Sequence, residues 1–262
     1  MDRSLVLSFL ALTALLSAVS CGGGDERGRR SGRESAGGGG AGGAPAALIT
    51  FDPGSGGIIA GKILYDGEAP KRDKIRFSEP VCQEPWGEQD VLKEDVVVGP
   101  GGGVAYAMVY IEVSDKYVTP TAPVELDQKG CMYDPHVLTM QAGQAINVKN
   151  SDNTLHNVHW MAFENPETNF AMPKPGVETK KLEYAEVPVK VKCDVHPWMG
   201  AWIGVFDHPF HTVSGEDGSF SFPAPEGTHT VKVWTEACGT YEARVTVTRG
   251  QTANAEFKVV KK

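Results

Sequence analysis

With 262 residues, the chain is long enough for one large or two small domains that each bury a core. The formal net charge is −8, and Lys+Arg and Asp+Glu number five each before residue 56. The negative charge therefore falls on the rest of the chain, which argues against a nucleic-acid partner.

Residues 3–20 have a basic start, an apolar stretch and small residues ahead of Cys21. That is the layout of a signal peptide (1–20), and the run is too short to favour a spanning helix. Ala18-Val19-Ser20-Cys21 resembles a bacterial lipobox, although Leu is the usual residue where Ala18 stands. The resemblance implies that Cys21 is diacylated, giving the two chains that stable membrane attachment needs. The alternative is ordinary cleavage that releases a soluble protein. No Asp follows Cys21, so the inner-membrane retention signal is absent, and the expected location is the bacterial cell envelope, facing the periplasm or the cell surface. Residues 21–56 begin with a run of Gly, Ala, Ser, Arg and acidic residues that reads as a flexible tether. Its Arg27, Arg29, Arg30 and Arg33 suit a solvated linker, with contact to anionic head groups as the other possibility.

From residue 57 onward, short runs of β-branched and aromatic residues alternate with Gly, Pro, Asn and Asp, so the fold class is all-β. Strands are predicted at 58–65, 104–113, 137–141, 145–150, 187–193, 201–206, 219–222, 229–235, 241–248 and 253–260. In Val187-Pro188-Val189-Lys190-Val191-Lys192-Cys193 the alternation puts Val187, Val189, Val191 and Cys193 on one face. Cys193 thus arrives at a strand end on the buried side.

The segment Cys193-Asp194-Val195-His196-Pro197-Trp198-Met199 offers a thiol, an imidazole and a thioether within seven residues. A fourth donor is available in Leu155-His156-Asn157-Val158-His159-Trp160. A thiolate, two imidazoles and a weak thioether suit a copper ion that must be tolerated in both oxidation states, whereas zinc prefers a closed tetrahedral set.

These two motifs resemble the amicyanin-type cupredoxins, whose ligand loop has the spacing Cys-x-x-His-x-x-Met, over residues 123–207. The resemblance implies a Greek-key β-sandwich with one type 1 copper, held by His156, Cys193 and His196 with Met199 axial. It also implies that Asn157 braces the ligand loop near the Cys sulfur, and that His159 is not a ligand. His196 would be the ligand nearest the surface, and Pro197, Trp198 and Trp202 would make an apolar rim for brief docking with a redox partner such as a c-type cytochrome or dehydrogenase. The polar, turn-rich residues 163–170 mean that the family's partner surface is not carried over.

The acidic-Gly turn at 215–218 followed by an alternating strand signals a hairpin. The last 50 or so residues resemble the carboxypeptidase regulatory-like module, a transthyretin-like β-sandwich without catalysis of its own. Residues 57–70 resemble that module's opening strand, so the copper domain is a candidate insertion within it. The expected order is a β segment at 57–112, the copper domain at 113–207 and the smaller sandwich at 208–262. In an oxidising compartment Cys82, Cys131 and Cys238 permit one bridge, and the expected pairing is Cys82 with Cys131. Residues 207–211 (DHPFH) read as a domain junction, with a surface metal as the alternative.

The expected function is a membrane-tethered one-electron carrier without enzyme activity, since His-x-His pairs for further copper ions do not occur. The rivals are a non-redox surface module and an envelope copper-handling protein.

Overall fold

In the computed structural model, which describes residues 47–262, alternating apolar stretches become the strands of two β-sandwiches. The signal peptide, Cys21 and the tether up to residue 46 lie outside the described residues. The strands are β1 (Gly56–Tyr65), β2 (Met108–Ile111), β3 (Val124–Lys129), β4 (Met132–Asp134), β5 (Val137–Gln141), β6 (Ala145–Asn150), β7 (His156–Met161) and β8 (Thr168–Met172). They continue with β9 (Gly176–Lys181), β10 (Glu186–Lys192), β11 (Gly200–Phe206), β12 (His211–Val213), β13 (Ser219–Pro225), β14 (Gly227–Thr235), β15 (Gly239–Val247) and β16 (Thr252–Val259).

The first sandwich packs a five-stranded sheet, in the order β5-β11-β10-β7-β8, on a four-stranded sheet, β4-β3-β6-β9. Leu126, Ile146 and Val148 from one sheet meet Val158, Trp160, Val189 and Ile203 from the other. Each such fully buried aliphatic side chain contributes about 1.5–3 kcal/mol. The second sandwich packs β13-β1-β16 on β12-β2-β14-β15, around Ile59, Ile63, Val109, Phe220, Phe222 and Val231.

Strand β1 runs antiparallel to β13 and parallel to β16, and β2 lies between β12 and β14. The chain therefore leaves the second sandwich after β2, builds the first, and returns at β12. Within residues 57–112 only β1 and β2 are named strands; the stretch between them holds a four-residue helix α1 (Pro80–Gln83) and short 3-10 turns. Of the residues assigned to the tether, 47–56 already engage the folded body: Ile49 N–H donates to Lys116 O at 2.9 Å, and Phe51 packs edge-on against Phe210.

The turn at 215–218 does not close a hairpin, because β12 and β13 belong to different sheets. Its Gly218 has φ +76, and a Cβ there would lie 2.3 Å from Ile63 O, so the chain crosses between sheets where only glycine fits. Strands β3, β4, β7, β8, β9 and β12 lie outside the runs that the alternation predicts. Strand β9 (GVETKK) is an exposed edge with no buried residue, and β12 has three residues, so neither carries an apolar period to read.

Candidate metal centre

Strands β7 and β10 are antiparallel neighbours, with His159 opposite Lys192. Inward alternation along β10 buries Val189 and Val191 and carries Cys193, just past the strand end, into the same core. The chain then turns back into β11 through a tight loop. Met199 N–H donates to His196 O at 2.9 Å and Cys193 N–H to Met199 O at 3.3 Å, so the thiol, the second imidazole and the thioether are held by one closed turn. His156 opens β7 from the adjacent strand.

Three donor atoms converge there. His156 Nδ1 and His196 Nδ1 are 2.9 Å apart, and Cys193 Sγ is 3.9 Å from His196 Nδ1. The potential ligand atoms of His156, Cys193 and His196 all lie within 4.8 Å of one another. These three residues and Met199 are buried, none more than 1% exposed. Asn157 Oδ1 accepts from Asp194 N–H at 2.6 Å, from Val195 N–H at 3.3 Å and from the Cys193 thiol at 3.3 Å. One amide oxygen thus ties the start of the ligand loop to β7. His159 points elsewhere: its ring nitrogens face Glu167 at 2.6 Å and Asp194 at 3.1 Å.

Burial disfavours a charged His156, but its hydrogen bonds to Asp152 and Cys193 prevail and hold its pKa at about 8. His156 Nε2 donates to Asp152 Oδ2 at 2.9 Å, leaving Nδ1 to face His196. Burial and the neighbouring His156 charge together lower the pKa of His196. The two Nδ1 atoms face one another at 2.9 Å across the pocket. Burial alone would raise the Cys193 pKa, yet hydrogen bonds from His156 and from backbone N–H groups bring it below the ordinary thiol value. A set of potential ligand atoms from His156, Cys193 and His196 thus converges in a buried pocket.

Two residues that shape this site carry no sequence signal. Asp152 sits in the turn before β7, accepts from Gly130 N–H at 2.7 Å and Cys131 N–H at 2.8 Å, and also receives His156. Glu79 Oε1 lies 3.6 Å from His196 Nε2 although it is more than a hundred residues upstream. Neither belongs to a spacing motif, so only the fold brings them in.

The expectation that His196 presents an edge to solvent is corrected by the structure. His196 is 0% exposed, because α1 and its flanks lie over it. Cys82 is joined to Cys131 by a disulfide, and Cys82 Sγ is 3.7 Å from His196 Nε2. The expected rim is also dispersed: Trp198 packs against His196 and Phe77, Trp202 against Trp234, and Pro197 alone is exposed. Beside Cys193 and Met199 there is instead a cleft of about 350 Å³, bounded by Lys190, Lys192, Pro197 and Gly200. Of the other cysteines, Cys238 is a buried free thiol in the second sandwich. His208 and His211 stack on Phe210 and Phe206 at the passage between the sandwiches.

No protein-family model and no curated protein sequence matches the chain. Among solved structures it is similar to a copper-containing nitrite reductase from Thermus scotoductus SA-01, with 21% identity over 37% of this chain and TM-score 0.29. The chain spans 25% of that reductase. It is also similar to a purple cupredoxin from Nitrosopumilus maritimus, with 17% identity, covering 31% of this chain and 98% of the cupredoxin at TM-score 0.27. An oxidised amicyanin mutant matches with 17% identity over 37% of this chain and 97% of its own, at TM-score 0.30. These likenesses each cover about a third of the chain, and the chemistry of the site rests on its own donor geometry.

Proposed function

We propose that this chain is a mononuclear type 1 copper protein that carries single electrons in the bacterial cell envelope. The observation that carries the reading is the convergence of His156 Nδ1, Cys193 Sγ and His196 Nδ1 in a pocket that also buries Met199. This donor set fits copper: soft sulfur suits Cu(I), and imidazole suits both states. Bound copper would supply a centre that passes between Cu(II) and Cu(I) one electron at a time. The protein's own part is to orient the donors. Asp152 fixes the His156 ring, Asn157 holds the loop and the sulfur, and the surrounding core excludes water.

In this reading the lipidated Cys21 and the glycine-rich tether hold the folded part at the membrane. The second sandwich is a carboxypeptidase regulatory-like spacer, and the chain has no enzyme activity of its own. A redox partner such as a c-type cytochrome or dehydrogenase would approach the cleft at Lys192 and Pro197, since the His196 edge is covered. The cover itself favours one other reading, an envelope protein that keeps copper rather than passing electrons.

The test is the visible and EPR spectrum of the chain after one equivalent of Cu(II), beside a Cys193→Ser control. An intense thiolate-to-copper charge-transfer band with narrow hyperfine splitting, both lost in the control, is expected. A spectrum of copper on imidazoles alone would overturn the reading and leave a non-redox surface module. A type 1 spectrum whose copper cannot be reduced and reoxidised by small mediators would favour copper keeping.

A further inference from the structure

The cleft beside Cys193 and Met199 leaves the end of the ligand loop without packing on that side, and Glu236, a residue of the second sandwich, is among its walls. Glu236 stands in the turn between β14 and β15. That turn is braced: Cys238 N–H donates to Thr235 Oγ1 at 3.1 Å, and Lys262 N–H to Ala237 O at 3.1 Å. From it the carboxylate reaches the first sandwich, where Glu236 Oε2 lies 2.8 Å from His136 Nε2.

His136 occupies the turn between β4 and β5, with its side chain 8% exposed. Its other ring nitrogen, Nδ1, lies 3.1 Å from Gly200 O, and its own carbonyl accepts from Trp202 N–H at 2.9 Å. One residue thus holds β11 at two points, the first of them immediately after Met199. The two sandwiches touch again alongside, where the rings of Trp202 and Trp234 are 5.0 Å apart. The bonds within the ligand loop, Met199 N–H to His196 O and Cys193 N–H to Met199 O, close the turn on itself, and the ladders to β10 and β5 fix β11 along its edges. The line Glu236–His136–Gly200 adds a hold from the second sandwich, at the residue that follows the thioether.

We infer that Glu236 is a positioning residue for the metal centre: through His136 it sets the place of Gly200 and so of Met199, which makes the second sandwich a working part of the site and more than a spacer. The inference rests on the copper reading for its electronic consequence, since the axial ligand and the groups that orient the ligands tune the potential of such a centre. Its geometric part is tested without metal. Amide exchange of the full metal-free chain, read over peptides covering residues 193–202, is compared among the unaltered chain, Glu236→Ala, Glu236→Gln and Val231→Ala, a control that loosens the core of the second sandwich away from this line. Exchange at least tenfold faster is expected in Glu236→Ala, with near-normal exchange in Glu236→Gln, which keeps an acceptor, and in Val231→Ala. After one equivalent of Cu(II), Glu236→Ala should shift the sulfur-to-copper band. It should also move the electron equilibrium with a mediator of fixed potential at least threefold relative to Glu236→Gln, which removes the same charge. Unaltered exchange in Glu236→Ala, or equal acceleration by Val231→Ala, would overturn the inference whatever the copper spectrum shows. Faster exchange in Glu236→Ala of a chain that gives no type 1 spectrum would uphold the positioning and overturn the copper reading alone. His136→Leu, which removes both ring nitrogens, gives the same comparison if Glu236→Ala fails to fold.

Discussion

At the scale of single residues, Asn157 has a larger part than its place beside a ligand suggests. Its Oδ1 receives two backbone N–H groups and the thiol, while its Nδ2 donates to Asn169 Oδ1 at 2.7 Å and Asp194 Oδ2 at 3.1 Å. Truncation leaves backbone donors of the ligand loop unpaired in a partly buried setting, a cost of about 1–3 kcal/mol. Asn157→Ala should therefore lower the urea midpoint by an amount equivalent to about 2 kcal/mol, with no change in the slope of the unfolding curve. An unchanged midpoint would mean that the loop keeps its shape without this amide. The ligand residues themselves were legible because a thiol, an imidazole and a thioether rarely fall so close together by packing alone. Asp152 and Glu79 were not, because one carboxylate in a turn and another far upstream are ordinary surface residues until the fold places them.

At the scale of elements, the helix α1 and its disulfide decide how the metal centre meets its surroundings. Cys82 and Cys131 are 49 residues apart in sequence, and a bridge closing a loop of that length stabilises by about 4 kcal/mol in the chain-entropy account. The bridge also pins α1 over His196, and Trp198 Nε1 donates to Cys131 O at 3.0 Å beside it. A Cys82→Ser, Cys131→Ser double variant should unfold at lower temperature, and its His196 should become reactive to diethyl pyrocarbonate, read by peptide mass. His196 that stays protected in a folded double variant would show that packing alone keeps the cover closed. Strands 137–141 and 145–150 match the alternation residue for residue. The cover could not be read, because residues 66–103 carry no helical or strand period and their position depends on a contact with a distant turn.

At the scale of the whole molecule, the passage between the two sandwiches holds buried imidazoles. Burial lowers the pKa of His208 to about 4 and that of His211 to about 3, the latter aided by the charge of His208. Both ring nitrogens of His211 are buried without a hydrogen-bond partner among the described residues. Each folded value lies below the ordinary histidine value, so the unfolded chain takes up protons first as pH falls. The contribution of these two imidazoles is full above pH 6.5 and declines from there toward pH 4, by up to about 1.4 kcal/mol per pH unit for each. His156, whose folded value is raised, works in the opposite window: its contribution is present below pH 6.5 and lost as pH rises through about 8. Urea unfolding between pH 6.5 and 4.5 should show this slope, and a His208→Asn, His211→Phe double variant should flatten it. The same slope in the double variant would place the acid sensitivity elsewhere.

By itself the sequence determined the all-β class, the strands with strong alternation and the cluster of thiol, imidazole and thioether. Each of these is a local property, written in side-chain period or in spacing along a few residues. Only the tertiary structure decided that β1 and β2 belong with the C-terminal strands, that Asp152 and Glu79 face the imidazoles, and that a disulfide-bound cover buries His196. Those features depend on pairings across tens to nearly two hundred residues, which local pattern does not specify because each partner by itself is compatible with many neighbours.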